Sequence, residues 1–351
     1  MGHKVRSTMT SEPRKRPSLP LLAGGVIVLL VALASPAISG NDANLLEKEA
    51  IDLFERGKYE EAESRFKQAL EIQEKTLSDT IAALNNLAAI HQLQGNYIES
   101  ERYLKRALAF ANPDDPRSAG IMTNLAAVYQ YQGRYTDAEL LFRRALNLKG
   151  SDTPNTLNQL AILYQHQGRY AEAERLLMQA LSIQHQEAAQ LDRAVTLNNL
   201  GALYQELGRY AEADPLLVEA LAIRRKALGD NHPAVALTAS NLAGTYKNQG
   251  RFAEAEQLLR EALRIQQQTE AGGVAAARTL NDLAVLAAEQ KKYEQAAELY
   301  EKAGASFVKL GGQNQDVAVV LDNLLQVLGA SNRKSEFDAI KARIVSGAKE
   351  R

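Results

Sequence analysis

The sequence predicts an all-α solenoid of about eight stacked helix hairpins, and three observations carry that expectation. The first is a recurring punctuation: Gly57-Lys-Tyr59, Gly95-Asn-Tyr97, Gly133-Arg-Tyr135, Gly168-Arg-Tyr170, Gly208-Arg-Tyr210, Gly250-Arg-Phe252 and, without its glycine, Lys291-Lys-Tyr293. Successive copies are 38, 38, 35, 40, 42 and 41 residues apart, a spacing that marks repeated two-helix units. The second is helical periodicity on both sides of each turn. Around Gly208, Leu197, Leu200, Gly201 and Tyr204 fall on one stripe before it, and Tyr210, Ala213, Leu217, Ala220 and Leu221 on another after it. The third is a set of small residues in register. Ala88, Ala126, Ala161 and Ala243 match Gly201, while Ala62, Ala138, Ala173 and Ala255 match Ala213; small side chains there let two helices approach closely.

In chain order, residues 1–18 are polar and basic, and Leu19 to Ala34 is almost wholly apolar. Ala32-Leu-Ala34 supplies small-x-small residues at its end, so residues 1–39 read as a signal peptide. An uncleaved membrane anchor is the competing reading, because Leu19 to Ile38 is long enough to cross a bilayer. Either way the basic head stays in the cytoplasm and the repeats lie on the extracytoplasmic side, periplasmic or membrane-anchored. The repeat array then occupies residues 40–351, with approximate repeats 45–79, 80–115, 116–150, 151–186, 187–229, 230–271, 272–312 and 313–351. Breaker clusters such as Asn112-Pro-Asp-Asp-Pro116, Gly229-Asp-Asn-His-Pro233 and Gly272-Gly273 separate them. Pro215 is expected near the first turn of its helix, where a missing N–H costs least.

The Leu-Gly-x-x-Tyr, Ala and Leu/Phe positions together resemble the tetratricopeptide repeat. The longer steps, and Leu228-Gly-Asp-Asn-His-Pro-Ala-Val-Ala236 leading into a helix, resemble its kinesin-light-chain-type subgroup. The resemblance covers seven copies and a degenerate eighth, and it implies a right-handed superhelix with the first helix of each hairpin lining the concave side. His91 stands where tyrosine is expected, Ser100 where alanine is, and Lys334 marks the degenerate last copy.

Composition narrows the function. Charged residues make up 24 % of the 351 and the net charge is −1. Residues 1–39 hold five basic groups and one acidic group, leaving a mildly acidic body unsuited to a nucleic-acid scaffold. No cysteine is present, so disulfides, thiolate nucleophiles and cysteine metal sites are excluded. The five histidines form no His-Glu-x-x-His pair, and no nucleophile elbow, phosphate loop or dinucleotide fingerprint occurs. Neither an enzyme nor a cofactor or metal is expected. His91 reads as a packed core histidine, His166 as a groove or surface residue, and His232 as a turn residue, capping or solvent-exposed. Glu172, Glu174, Glu254 and Glu256 open second helices, where acids favour the positive end of the helix dipole.

One polar pattern points to binding. Ten residues before each turn residue stand Asn85, Thr123, Asn158, Asn198, Ser240, Asn281 and Asp322; three before it stand Gln92, Gln130, Gln165, Gln205 and Lys247. Positions seven apart share a helix face, so these rows are expected to floor a peptide groove whose amides both donate and accept. A second row, Asn86, Asn124, Asn199, Asn241 and Asn323, with Gln159 and Asp282 standing in, is assigned by the resemblance to ties between neighbouring hairpins. The expected partner is a protein or peptide rather than nucleic acid, with membrane contact only through the N-terminal segment. The alternative is an assembly component of an envelope complex that works through its convex face or terminal repeats.

Overall fold

The computed structural model describes residues 41–73, 77–111, 116–148, 153–184, 190–268, 273–310 and 314–346. The N-terminal segment predicted as signal peptide or anchor lies outside them. The described residues form sixteen α-helices in eight hairpins and no strands. The first four hairpins are α1 (Asn41–Glu55) with α2 (Tyr59–Gln73), α3 (Leu77–Leu93) with α4 (Tyr97–Phe110), α5 (Pro116–Tyr131) with α6 (Tyr135–Leu146), and α7 (Thr153–His166) with α8 (Tyr170–Ile183). The next three are α9 (Gln190–Glu206) with α10 (Tyr210–Leu228), α11 (Pro233–Asn248) with α12 (Phe252–Gln266), and α13 (Gly273–Glu289) with α14 (Tyr293–Lys309). Last comes α15 (Asn314–Ala330), a 3₁₀ turn at Lys334–Glu336, and α16 (Phe337–Ser346).

Every hairpin turns by one device. At Gly208 the backbone has φ +73°. The N–H of Arg209 then reaches back to the carbonyl of Tyr204 at 2.7 Å, and Gly208 donates to Gln205 at 3.0 Å. This is the double hydrogen bond that satisfies the last carbonyls of a helix. The long bond recurs in all eight turns, from Lys58 to Leu53 through Arg333 to Leu328. Where the glycine is missing, Lys291 takes the left-handed conformation itself, at φ 61°, and Asn332 does so at φ 57° in the eighth copy. The tertiary fold thus imposes the turn on residues that resist it.

The inward stripes meet as the spacing requires. Leu84, Ala88, Leu125, Ala126, Phe142, Leu160, Ala161, Leu177, Leu200 and Leu217 belong to one continuous interior that runs from Leu84 to Ile265. The small positions do set the approach: a Cβ on Gly201 would stand 2.6 Å from Leu217 Cγ, so α9 packs closer to α10 than an alanine would allow. Ala277 to Ile344 form a second interior, joined to the first through Ala243, Ala255, Leu259, Leu283 and Leu286. Pro215 falls near the first turn of its helix, just beyond it. Pro215 is the sixth residue of α10, inside the helix, and its exposure on the outer side leaves room for the ring and for the unpaired carbonyl it creates.

Neighbouring hairpins stack with a bend. Consecutive odd helices touch directly at α3–α5, α5–α7, α7–α9, α9–α11 and α13–α15, whereas even helices make no comparable contact until α14 meets α16. The odd helices therefore lie on the inside of the curve.

Candidate functional site

The departures from the repeat pattern are absorbed by packing. Buried His91 stacks on Tyr103 with centroids 5.4 Å apart, and its Nε2 lies 3.7 Å from Glu63. Ser100 is fully buried and donates from Oγ to the carbonyl of Ala88 at 2.8 Å. His232 caps α11, its Nδ1 accepting from the N–H of Ala234 at 3.1 Å. Among the described residues no group of three or more His, Cys, Asp or Glu could hold a metal ion.

The first polar row is not the open floor it was expected to be. Asn85, Thr123, Asn158 and Asn198 are all nearly or fully buried, as are Gln92 and Gln130. Their polar groups face the next hairpin. Asn124 Nδ2 donates to Asn85 Oδ1 at 2.9 Å, Asn199 to Asn158 at 3.0 Å, and Asn241 to Asn198 at 3.0 Å. Thr123 and Thr156 pair at 2.9 Å, and Asn158 also donates to Thr196 Oγ1 at 2.7 Å. The second row was expected to tie hairpins together, and Asn124, Asn199 and Asn241 do so by donating to the first. The physical reason is the direct contact between odd helices, which closes the gap that the first row was expected to line.

The remaining residues of that set are more open but mostly engaged. Half-buried Gln205 donates to the carbonyl of Asn241 at 2.6 Å and to Thr245 Oγ1 at 2.7 Å. Gln130 meets exposed His166 at Nδ1, 3.0 Å away; burial beside the ring lowers the His166 pKa. Lys247 pairs with Glu289 at 3.4 Å. Gln165, Ser240 and Asn281 are half-buried.

What reaches solvent on the odd helices is a neighbouring stripe. Asn155 and Ile162 of α7, Val195 and Ala202 of α9, and Leu237 and Gly244 of α11 are half-buried, with exposed His166, Glu206 and Asn248 at their ends. Helix α7 has no Asp, Glu, Lys or Arg at all.

A second set of side chains, missed in the sequence, holds the turns together. Arg134, Arg169, Arg209 and Arg251 follow the turn glycines, and each lies over the tyrosine four residues before that glycine. Their distances from ring centroid are 3.7 Å, 3.7 Å, 4.0 Å and 3.5 Å, over Tyr129, Tyr164, Tyr204 and Tyr246. Each arginine also bridges two acids. Arg209 holds Glu212 of its own helix at 2.7 Å and Glu174 of the preceding hairpin at 3.0 Å. Arg169 does the same with Glu172 and Glu139, and Arg251 with Glu254 and Asp214. Glu172 and Glu254 do open second helices, and their structural role includes this clamp. The readable signal was Gly-Arg-Tyr/Phe itself, four times over.

Such an array of hydrogen-bonded, clamped hairpins defines a repeat scaffold, and the comparisons agree. A tetratricopeptide repeat model matches residues 41–109, 79–151, 152–213 and 192–268, and a second one matches 241–306. The chain belongs to the tetratricopeptide repeat family, and its fold is the right-handed α-solenoid of that family. No curated protein matches it. Among solved structures it is similar to the apo quorum sensor NprR of B. thuringiensis, at 16 % identity and TM-score 0.60, covering 87 % of each chain. It is also similar to a tetratricopeptide repeat protein of Parabacteroides merdae, at 20 % identity and TM-score 0.50, covering 82 % of this chain and all of the other. A putative kinesin light chain of P. anserina with nearly identical repeats is 26 % identical, with TM-score 0.42, covering 56 % of this chain and 99 % of that one.

Proposed function

We propose that this chain is a non-catalytic scaffold, exported across a membrane, that holds an uncharged segment of a partner protein along the odd-helix face of its fourth to sixth hairpins. Family membership supports protein–protein interaction as the general role. The observation that carries the finer reading is the neutral, small-residue stripe Ile162, Ala202 and Gly244 between Asn155, Val195 and Leu237. In a chain that is 24 % charged, these six half-buried residues carry no formal charge, and Glu206 stands only at the end of the stripe. A charged side chain laid on that stripe would lose water and gain no counter-charge, so it would be rejected. A neutral extended or helical segment loses little and gains apolar contact. Export rests on the basic head and apolar run of residues 1–39.

The test is capture of the partner from envelope extract by the Ala202→Arg and Leu140→Arg variants, with helicity checked by circular dichroism. Loss of capture with Ala202→Arg alone supports the odd-helix face. A specific observation favours a second reading, in which the outer face joins the chain to an assembly: Ile98, Leu140 and Met178 are 77 %, 68 % and 52 % exposed on even helices. Loss of capture with Leu140→Arg alone selects that reading. Intact mass of the captured chain reports whether residues 1–39 remain.

A further inference from the structure

The outer side of the molecule separates its charges, most sharply on α6, α8 and α10. Along α10, Ala211, Pro215, Val218 and Ala222 recur at steps of four, three and four residues and are all exposed, so they form one stripe. It lies opposite the buried Ala213, Leu217 and Ala220 and so faces away from the rest of the array. The same register carries Ala171, Arg175 and Met178 on α8, and Leu140 and Arg143 on α6. No carboxylate stands on it in any of the three helices. Leu140, Met178 and Val218 are 68 %, 52 % and 43 % exposed, so each helix holds one large apolar side chain out in water.

The acids of these helices are already paired, whereas several cations are not. The turn arginines Arg134, Arg169, Arg209 and Arg251 hold the acids near the start of α6, α8 and α10. Arg193 holds the remaining one, Glu219, at 2.9 Å. Arg144, Arg175 and Lys226 are exposed, and none has an ion-pair partner among the described residues. Uncompensated positive charge therefore stands beside bare apolar side chains. Toward the C-terminus the pattern stops at α14, whose outer side exposes Glu294 and Glu298.

Charge complementarity calls for an anionic partner, and the shape of the face narrows its kind. The odd helices line the inside of the curve, so the even helices form a convex outside. A convex face offers no pocket to anchor an acidic peptide, and a folded protein would need pockets for its anchors. A fluid, flat surface meets the crest of such a face without either. Apolar side chains spaced one to a helix can each enter the boundary between headgroups and acyl chains. Long basic side chains beside them stay at the phosphates.

We propose that the outer face of the third to fifth hairpins docks on a bilayer surface rich in anionic phospholipid, with Leu140, Met178 and Val218 in the interface and Arg144, Arg175 and Lys226 at its phosphates. This contact is separate from residues 1–39 and does not depend on their being kept. It also leaves the odd-helix face turned away from the membrane and open to a partner. Capture of that partner is measured separately, so either reading can fail while the other stands.

The chain has no cysteine, so Met178→Cys, or Glu298→Cys as a control, places a polarity-sensitive fluorophore at a single position. The full chain is mixed with vesicles of phosphatidylcholine, alone or with phosphatidylglycerol added. Residues 1–39 could hold the chain on any vesicle, so the emission of the label is read rather than co-sedimentation. The expected result is a blue shift at position 178 with the anionic vesicles, absent with the neutral ones and absent at position 298. Adding Arg144→Glu and Arg175→Glu abolishes the shift at 178 while circular dichroism shows the helices intact. A label at 178 that stays in water against anionic vesicles overturns the proposal and gives the outer face to a protein partner. An equal shift on neutral vesicles or at 298 overturns it too, as does a shift that survives both charge reversals.

Discussion

Asn199 donates to Asn158 across 3.0 Å, although 41 residues separate them in the chain. Asn158 in turn donates to Thr196 Oγ1 and to the carbonyl of Pro154. One buried amide thus accepts from the next hairpin and donates both to that hairpin and to its own helix. It determines register between the fourth and fifth copies.

Replacing Asn158 by Ala leaves the Nδ2 of Asn199 without its acceptor and Thr196 without a donor in a dry environment. The expected cost is about 2 kcal/mol or more, since unmet buried polar groups are expensive. Hydrogen exchange localised to α7 and α9 should report it, because repeat arrays open joint by joint. Unchanged protection there would remove the asparagine rungs from the account of stacking.

Glu139 gives the stability of the third and fourth hairpins a pH dependence whose sign its partners set. Burial raises its pKa, but hydrogen bonds from Arg143, Tyr164 and Arg169 outweigh that and hold it below the usual carboxylate value. Its contribution is present above the unfolded pKa and disappears as pH falls through the lower folded value. The Glu139→Gln variant should therefore lose stability at neutral pH and converge with the wild type in acid. Urea midpoints measured across that range check it; parallel curves for the two proteins would contradict it.

Lys291 occupies a left-handed turn with a side chain attached. Lys291→Gly removes a conformational cost of about 1–2 kcal/mol per such residue. Part of that gain is cancelled by the greater freedom of glycine in the unfolded chain. A net stabilisation of about 0.5–1 kcal/mol is expected, read as a higher melting temperature; a lower one would mean that Lys291 makes contacts worth more than its strain.

Most of the fold was legible because it rests on local chemistry. Gly57 to Gly250 announced six turns, and the third-and-fourth spacing around Leu200 and Leu217 announced which faces meet. The polar rows were legible as rows but not as surfaces. A period of seven fixes Asn85 and Gln92 on one side of α3, yet it says nothing about the angle at which α5 arrives, and α5 arrives close enough for Asn124 to cap Asn85, with both Asn85 and Gln92 buried. The arginine clamp was hidden for the same reason. Arg209 and Tyr204 are near in sequence, but Glu174 belongs to the hairpin before.

The divided interior has a mechanical consequence. When load is applied to the two ends, tension is carried through every joint in series, and Ala243, Ala255, Leu259, Leu283 and Leu286 pass it from one interior to the other. The run from Leu84 to Ile265 and the run from Ala277 to Ile344 are thus two bodies coupled end to end, each resisting extension through its own packing.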